Sequence, residues 1–418
     1  TTRSEGRDMS RFRKLYDSRW SVVLGGFLVA LMGGLSYSWG VFVEVLKQDY
    51  GWSKMISTLP LSVFMVVFAI VMIPGGRLQE KISPGRQIRI GAFFFLAANL
   101  LSSLVVKFPH KWWLLFSYGL IGGIGCGLSY SCIAPAIRRW FPDHPGLAVS
   151  LGVMGFGLAA FFFAPLKANF MLPSYGLHGT FIILAIVTFT ITWLASWLIR
   201  FPSEWHLHLF GTVHLSGDDS MILANVGPRE MIRKPLFWLT WSAFLMVVYG
   251  SLLTIGILPS YGQTVVRLTG LQAAIPLSLF SLVNGLSRPV IGYVSDKLGT
   301  LKVMSVVFLA QSLVFLLFPS HVTTYGPLLA ASVILGFGIA SSLALFPVLT
   351  SEFFGVEHMG INYGILFSAY GFGAIAIQAG TYLHDLTGSY TPALLMAGVT
   401  SLIGTLIMIY IRKTYKVS

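Results

Sequence analysis

Twelve times along this chain a run of about twenty apolar residues, the length a bilayer's hydrocarbon core demands, passes without an acid near its middle. The runs fall at residues 21–43, 55–76, 88–106, 112–137, 146–169 and 179–200, then at 236–259, 271–293, 302–319, 326–350, 360–382 and 392–411. Continuous apolar runs argue against an outer-membrane barrel, whose strands alternate between polar and apolar. Only 10% of the 418 residues are charged and 55% are hydrophobic, with mean hydropathy +0.77. A soluble domain carries about 25% charged residues. So few charges cannot cover a water-facing surface, which argues against a soluble enzyme, a nucleic-acid binder or a disordered chain. The fold class is all-α membrane protein, with twelve transmembrane helices.

The net charge of +13 would suggest nucleic acid in a soluble protein. Here the placement of the bases matters more, because Lys and Arg set orientation. With both termini inside, twenty-one of them fall on inner segments. Six fall outside: Lys47, Lys54, Lys107, Lys111, Lys167 and Arg267. The expected organisation is a cytoplasmic tail over 1–18, a six-helix half over 19–200, a cytoplasmic central loop over 201–234, a second six-helix half over 235–412 and a tail over 413–418. The polar, basic start leads into a full-length span, which argues against a removable signal, and Met9 is a candidate native start. His206, His208 and His214 in the central loop are poorly spaced for one helix face, so a solvated linker fits better than a metal site. Cys126 and Cys132, six apart on one expected helix, point away from each other. No disulfide framework, metal spacing or cofactor motif stands out.

The two halves repeat. LPLSVFMVVFAIVMIPGGRLQEK from Leu59 aligns with IPLSLFSLVNGLSRPVIGYVSDK from Ile275 at a constant offset of 216. Gly76, Glu80 and Lys81 meet Gly292, Asp296 and Lys297. Six spans followed by six in parallel repeat is an architecture of secondary transporters. GGRLQEKISPGR and GYVSDKLG resemble the short cytoplasmic loop motif of the major facilitator superfamily. The resemblance implies that fold, in two pseudo-symmetric halves. Gly permits close helix packing, and the acid can pair with a basic residue at a neighbouring helix end, latching the cytoplasmic side.

The repeat also shows where the halves differ. Phe68 and Met72 in the second span correspond to Asn284 and Arg288 in the eighth. Residues four apart share a helical face, so Asn284 and Arg288 point together. An Arg at mid-span costs about 2.5 kcal/mol or more, and the acids Glu44, Glu352 and Asp385 sit near span ends. A substrate anion is the natural counter-ion, and the guanidinium fork suits a carboxylate. Pro289, directly after Arg288, can weaken the local helix ladder, which is tolerated where a site is built. Tyr37, Tyr130 and Tyr370 are candidate companions because buried phenols need partners. Phe367 lies three residues from Tyr370, on the same face.

SRPVIGYVSDKLG, YSWGVF, RRWFPDHPGLA, ALFP and NYG are similar to the monocarboxylate-transporter and oxalate:formate-antiporter branch of that superfamily, over most of residues 19–412 outside the central loop. The resemblance implies that Arg288 binds a carboxylate and that Tyr37, Tyr130 and Phe367 line the site. Asn284 stands where many animal members carry Asp. Tyr370 stands where the oxalate antiporters carry a Lys, and Leu343 replaces one of their aromatics. One cation suits a monoanion. The expected function is therefore a proton-coupled symporter of small monocarboxylates such as lactate or pyruvate, in the cell inner (plasma) membrane, whose partners are substrate, proton and lipid bilayer. No nucleic acid or obligate protein partner is implied. The alternative is a carboxylate exchanger of the oxalate:formate type. A receptor needing no pocket is a third reading, and an enzyme fits least. His384 and Asp385 are weak proton-carrying candidates, and the substrate itself is another.

Overall fold

The protein is described by a computed structural model that covers residues 18–203 and 225–415. Residues 1–17, the three central-loop histidines and residues 416–418 lie outside them. Twelve passes follow in order. The first six are α1 (Arg19–Tyr50), α2 (Lys54–Leu78), α3 (Pro84–Val106), α4 (Lys111–Trp140), α5 (Pro145–Leu166) and α6 (Leu172–Ala195). The second six are α7 (Pro235–Thr264), α8 (Gly270–Leu298), α9 (Thr300–His321), α10 (Tyr325–Phe354), α11 (Met359–Thr387) and α12 (Thr391–Thr414). Hydrocarbon offers the backbone no water, so each pass must satisfy its own amides, which a helix does.

Eleven helices among the described residues are long and apolar enough to cross a membrane, and one is continuous over the 51 residues from Pro145 to Ala195. That length is about 77 Å at 1.5 Å per residue, more than twice the roughly 30 Å of hydrocarbon. The chain reverses at Gly176, with φ 62° and ψ −173°, a conformation essentially confined to glycine. Helix therefore fills the connection expected after residue 169: a π turn over Lys167–Met171 joins α5 to α6.

Lys167 does not sit in an exposed loop, as its place among the outer bases implied. It is 1% exposed. A helical side chain leans toward the N-terminus, and this one reaches back to α1 of the same half to meet Ser38.

The halves meet along two seams, α5 against α8 and α2 against α11. Both seams use paired glycines on the side where the described chain begins and ends, called the terminal side below. Gly76 abuts the backbone of Gly360, and Gly292 abuts that of Gly146. A side chain at Gly76, Gly146 or Gly292 would force the helices apart.

Candidate functional site

α8 runs unbroken past Pro276 and Pro289. Pro289 has no N–H to give the carbonyl four residues earlier. One residue before it, Arg288 is fully buried, as is Asn284. Arg288 Nε donates to the Asn284 backbone carbonyl at 3.1 Å and to Asn284 Oδ1 at 3.3 Å, and one terminal nitrogen donates to the same Oδ1 at 2.9 Å. The other terminal nitrogen crosses to the first half and donates to the Val153 carbonyl of α5 at 2.6 Å. Every one of these acceptors is neutral. No carboxylate among the described residues forms a salt bridge with Arg288. The guanidinium is placed and hydrogen-bonded, and its charge is left uncompensated.

Aromatic rings surround it. Tyr130, 3% exposed, has its hydroxyl beside Arg288 without completing a hydrogen bond. The Tyr37 hydroxyl lies 2.8 Å from that of Tyr370, joining α1 to α11 across the two halves. Phe367 stacks on Tyr370 with centroids 4.8 Å apart. The structure thus gathers Tyr37, Tyr130, Asn284, Arg288, Phe367 and Tyr370 into one cluster. It adds residues that the sequence reading passed over. Phe68 packs on Phe367 at 5.0 Å and on Tyr130 at 5.4 Å. Phe156 meets Tyr37 edge-on at 5.0 Å. Tyr363 packs on Phe367 at 5.5 Å. The repeat held a signal for Phe68, since it occupies the position that Asn284 takes in the other half. Tyr363 lies in the NYG motif, which marked the resemblance without marking the site, and no comparable signal marks Phe156.

Three polar atoms in this cluster are buried without a hydrogen-bond partner: Asn284 Nδ2, Tyr130 Oη and Tyr363 Oη. A buried polar group without a partner costs about 1–3 kcal/mol. Two phenols, an amide N–H₂ and a guanidinium with unspent charge make a donor set for an oxyanion, walled by phenyl rings.

The cluster is closed on both faces. On the far side, Tyr37 touches Tyr370, and Gln378 Nε2 donates to Ser62 Oγ at 3.0 Å. On the terminal side, Asp296 of the loop motif accepts from the backbone amides of Gly146 at 2.7 Å and Leu147 at 2.9 Å. Its partner is therefore not the basic side chain expected from the motif. The first amides of α5 lack helical acceptors and carry the positive end of its dipole, so a helix start serves as the base. The matching acid Glu80 lies 3.4 Å from His358 Nδ1 at the start of α11. Lys297 covers the Tyr293 ring at 4.4 Å, with no carboxylate partner among the described residues. Lys81 makes no salt bridge among them either. Arg138 Nε adds a bond to Ser351 Oγ at 3.1 Å between α4 and α10.

His384 and Asp385 lie apart from all this. The imidazole stacks on Tyr390 at 4.1 Å and faces its neighbour's carboxylate at 3.6 Å. Cys126 and Cys132 are buried and unpaired. No group of three or more His, Cys, Asp or Glu among the described residues is placed to hold a metal.

A twelve-pass bundle in two repeated halves, gripping a closed polar centre, is the architecture of a solute carrier. The chain belongs to the Major Facilitator Superfamily, whose family profile matches residues 22–378 and 269–418. It is 30% identical over 361 residues to the oxalate:formate antiporter of Oxalobacter formigenes, covering 85% of this chain and 82% of that protein. It is 24% identical over 406 residues to monocarboxylate transporter 13 of Bos taurus, covering 93% and 88%. Its fold matches the transporter FucP in the outward conformation with a TM-score of 0.67 at 15% identity, covering 93% of this chain and 99% of that one. It is a multi-pass membrane transporter of small solutes and not an enzyme.

Proposed function

We propose that the chain carries small monocarboxylates such as lactate or pyruvate by alternating access, together with a proton, and that the substrate carboxylate binds Arg288. The observation that carries this reading is a fully buried guanidinium whose protein partners are all neutral. The carboxylate would take the unspent charge of Arg288 and the free donors of Asn284, Tyr130 and Tyr363. The apolar remainder would lie on Phe68, Phe156 and Phe367. Neutralising a buried charge lowers the cost of rocking one half past the other, because a binding event shifts a conformational equilibrium by its differential affinity. Electroneutral movement with a proton spares the anion a penalty of about 2.3 kcal/mol per 100 mV. The terminal side is assigned to the cytoplasm of an inner or plasma membrane from the distribution of bases.

Exchange of carboxylate for carboxylate is the second reading, favoured by the name of the 30% identical relative. Tyr370 weighs against a dianion, because it puts a phenol where the resemblance places that branch's second cation. Uptake into proteoliposomes under an inward pH gradient, with no internal substrate, tests the choice. Symport predicts accumulation that collapses with the gradient. Uptake only when the lumen holds carboxylate would establish exchange.

A further inference from the structure

We propose that Lys167 is the proton-binding site of this carrier, one proton joining it for each carboxylate that joins Arg288; the proposal rests on the symport reading above. Lys167 is a second cation buried to 1% exposure or less among the described residues, and the site around Arg288 makes no use of it. Its ammonium donates to Ser38 Oγ at 2.7 Å and to the Leu35 carbonyl at 3.4 Å, and lies 4.8 Å from the centre of the Phe42 ring.

The groups packed around it come from α1, α2, α3, α4 and α6. The small cavity they share is lined by Ser36, Asn99, Tyr118 and Thr188 among apolar neighbours. Its volume of about 20 Å³ has room for one water. Tyr118 is the one titratable side chain besides Lys167 on that lining. Cys126 lies behind Gly33 on α4. Glu44, on the same helix as Phe42, is exposed and pairs with Lys47. His178 on α6 is engaged with the Ser103 carbonyl. No carboxylate among the described residues pairs with Lys167.

The backbone is irregular on both sides of the contact. Lys167 opens a π turn, and its acceptors lie on the 3₁₀ turn Leu35–Ser38 that interrupts α1. Non-helical backbone at membrane depth survives where protein buries it, and π turns recur at functional sites. The same four-residue 3₁₀ turn carries Tyr37, whose hydroxyl meets Tyr370 of the opposite half. One short segment therefore holds the ammonium and also touches the partner half at the substrate cluster. When the halves part, the turn that supplies the acceptors of Lys167 loses its far anchor.

The charges balance. Loaded, the carrier holds an Arg288–carboxylate pair and a lysine ammonium, net +1. On release of the anion, a Lys167 N–H bond breaks, the electron pair stays on nitrogen and the proton leaves to water. The empty carrier returns with Arg288 charged and Lys167 neutral, again net +1. Both crossings carry the same charge, and each cycle moves one anion with one proton. A permanently charged Lys167 would instead oblige the empty carrier to return with two uncompensated cations.

The test compares wild type, Lys167→Met and Lys167→Arg in proteoliposomes, reading lactate accumulation under a pH gradient against lactate–lactate exchange at equal pH. One variant is never charged there and the other always is. In both, the ratio of accumulation to exchange is expected to fall about tenfold or more, the size of an ordinary coupling free energy. Exchange persists at a reduced rate, because it returns the carrier loaded. Either variant accumulating lactate in the wild-type ratio overturns the assignment. Loss of both activities in both monodisperse variants also overturns it, making the lysine a structural strut. A wild type that exchanges but ignores the gradient refutes symport itself, a result read before any variant is compared.

Discussion

Arg288 is held by three neutral oxygens, so its removal should relieve the fold while disabling transport. Arg288→Gln deletes a buried charge that has no carboxylate partner among the described residues. Its thermal unfolding is expected no lower than wild type, while uptake falls about 10–100-fold, the worth of a charged hydrogen bond of roughly 1.5–3 kcal/mol. Arg288→Lys keeps the charge but loses the planar fork, and uptake should stay low. Asn284→Asp would supply the counter-ion that the guanidinium lacks. Its carboxylate would occupy Arg288 at neutral pH and release it when protonated. A pH profile of uptake in this variant is expected to drop at neutral pH and recover toward acid. Arg288 and Asn284 were legible in the sequence because the repeat set them against Met72 and Phe68, and because an Arg in a membrane span demands a reason. Lys167 was not legible. It stands near a span end, where lysines ordinarily reach water, and only the folded chain shows it leaning inward onto Ser38.

Among the elements, the seams decide which face is open. Gly292 and Gly146 touch backbone to backbone on the terminal side, with Asp296 capping the start of α5 beside them. Gly292→Val should wedge α8 from α5. Asp296→Asn should weaken the same closure, since a carboxylate at a helix start contributes about 0.3–1 kcal/mol. With Cys126 and Cys132 replaced, a cysteine placed by Ser295→Cys is expected to react faster with a polar thiol reagent in both variants. Unchanged reactivity would mean that this seam does not govern access. The loop motif and its two glycines were readable from the repeat. The partner of Asp296 was not, because sequence patterns record side chains and the partner is a pair of backbone amides. The helical form of the α5–α6 connection was not readable for a similar reason: its residues are apolar, and the reversal is concentrated in Gly176, within the stretch between the fifth and sixth runs.

For the whole molecule, twelve passes and the excess of bases on one side predict that both ends face the cytoplasm. A C-terminal tag should then be cleaved by protease only after cells are opened. The two-half architecture followed from run length, which hydrocarbon imposes on any spanning chain, and from the run number and the offset of 216, which are this chain's own. The closed state did not follow, since it depends on contacts between helices far apart in sequence, such as Tyr37 with Tyr370. The central claim is that Arg288 takes the carboxylate of the cargo. Calorimetric binding of lactate and of its neutral amide to the purified carrier tests it most directly. Wild type is expected to prefer the carboxylate by about tenfold or more, and Arg288→Gln to bind both equally weakly. Lactate binding that survives Arg288→Gln undiminished would contradict the account.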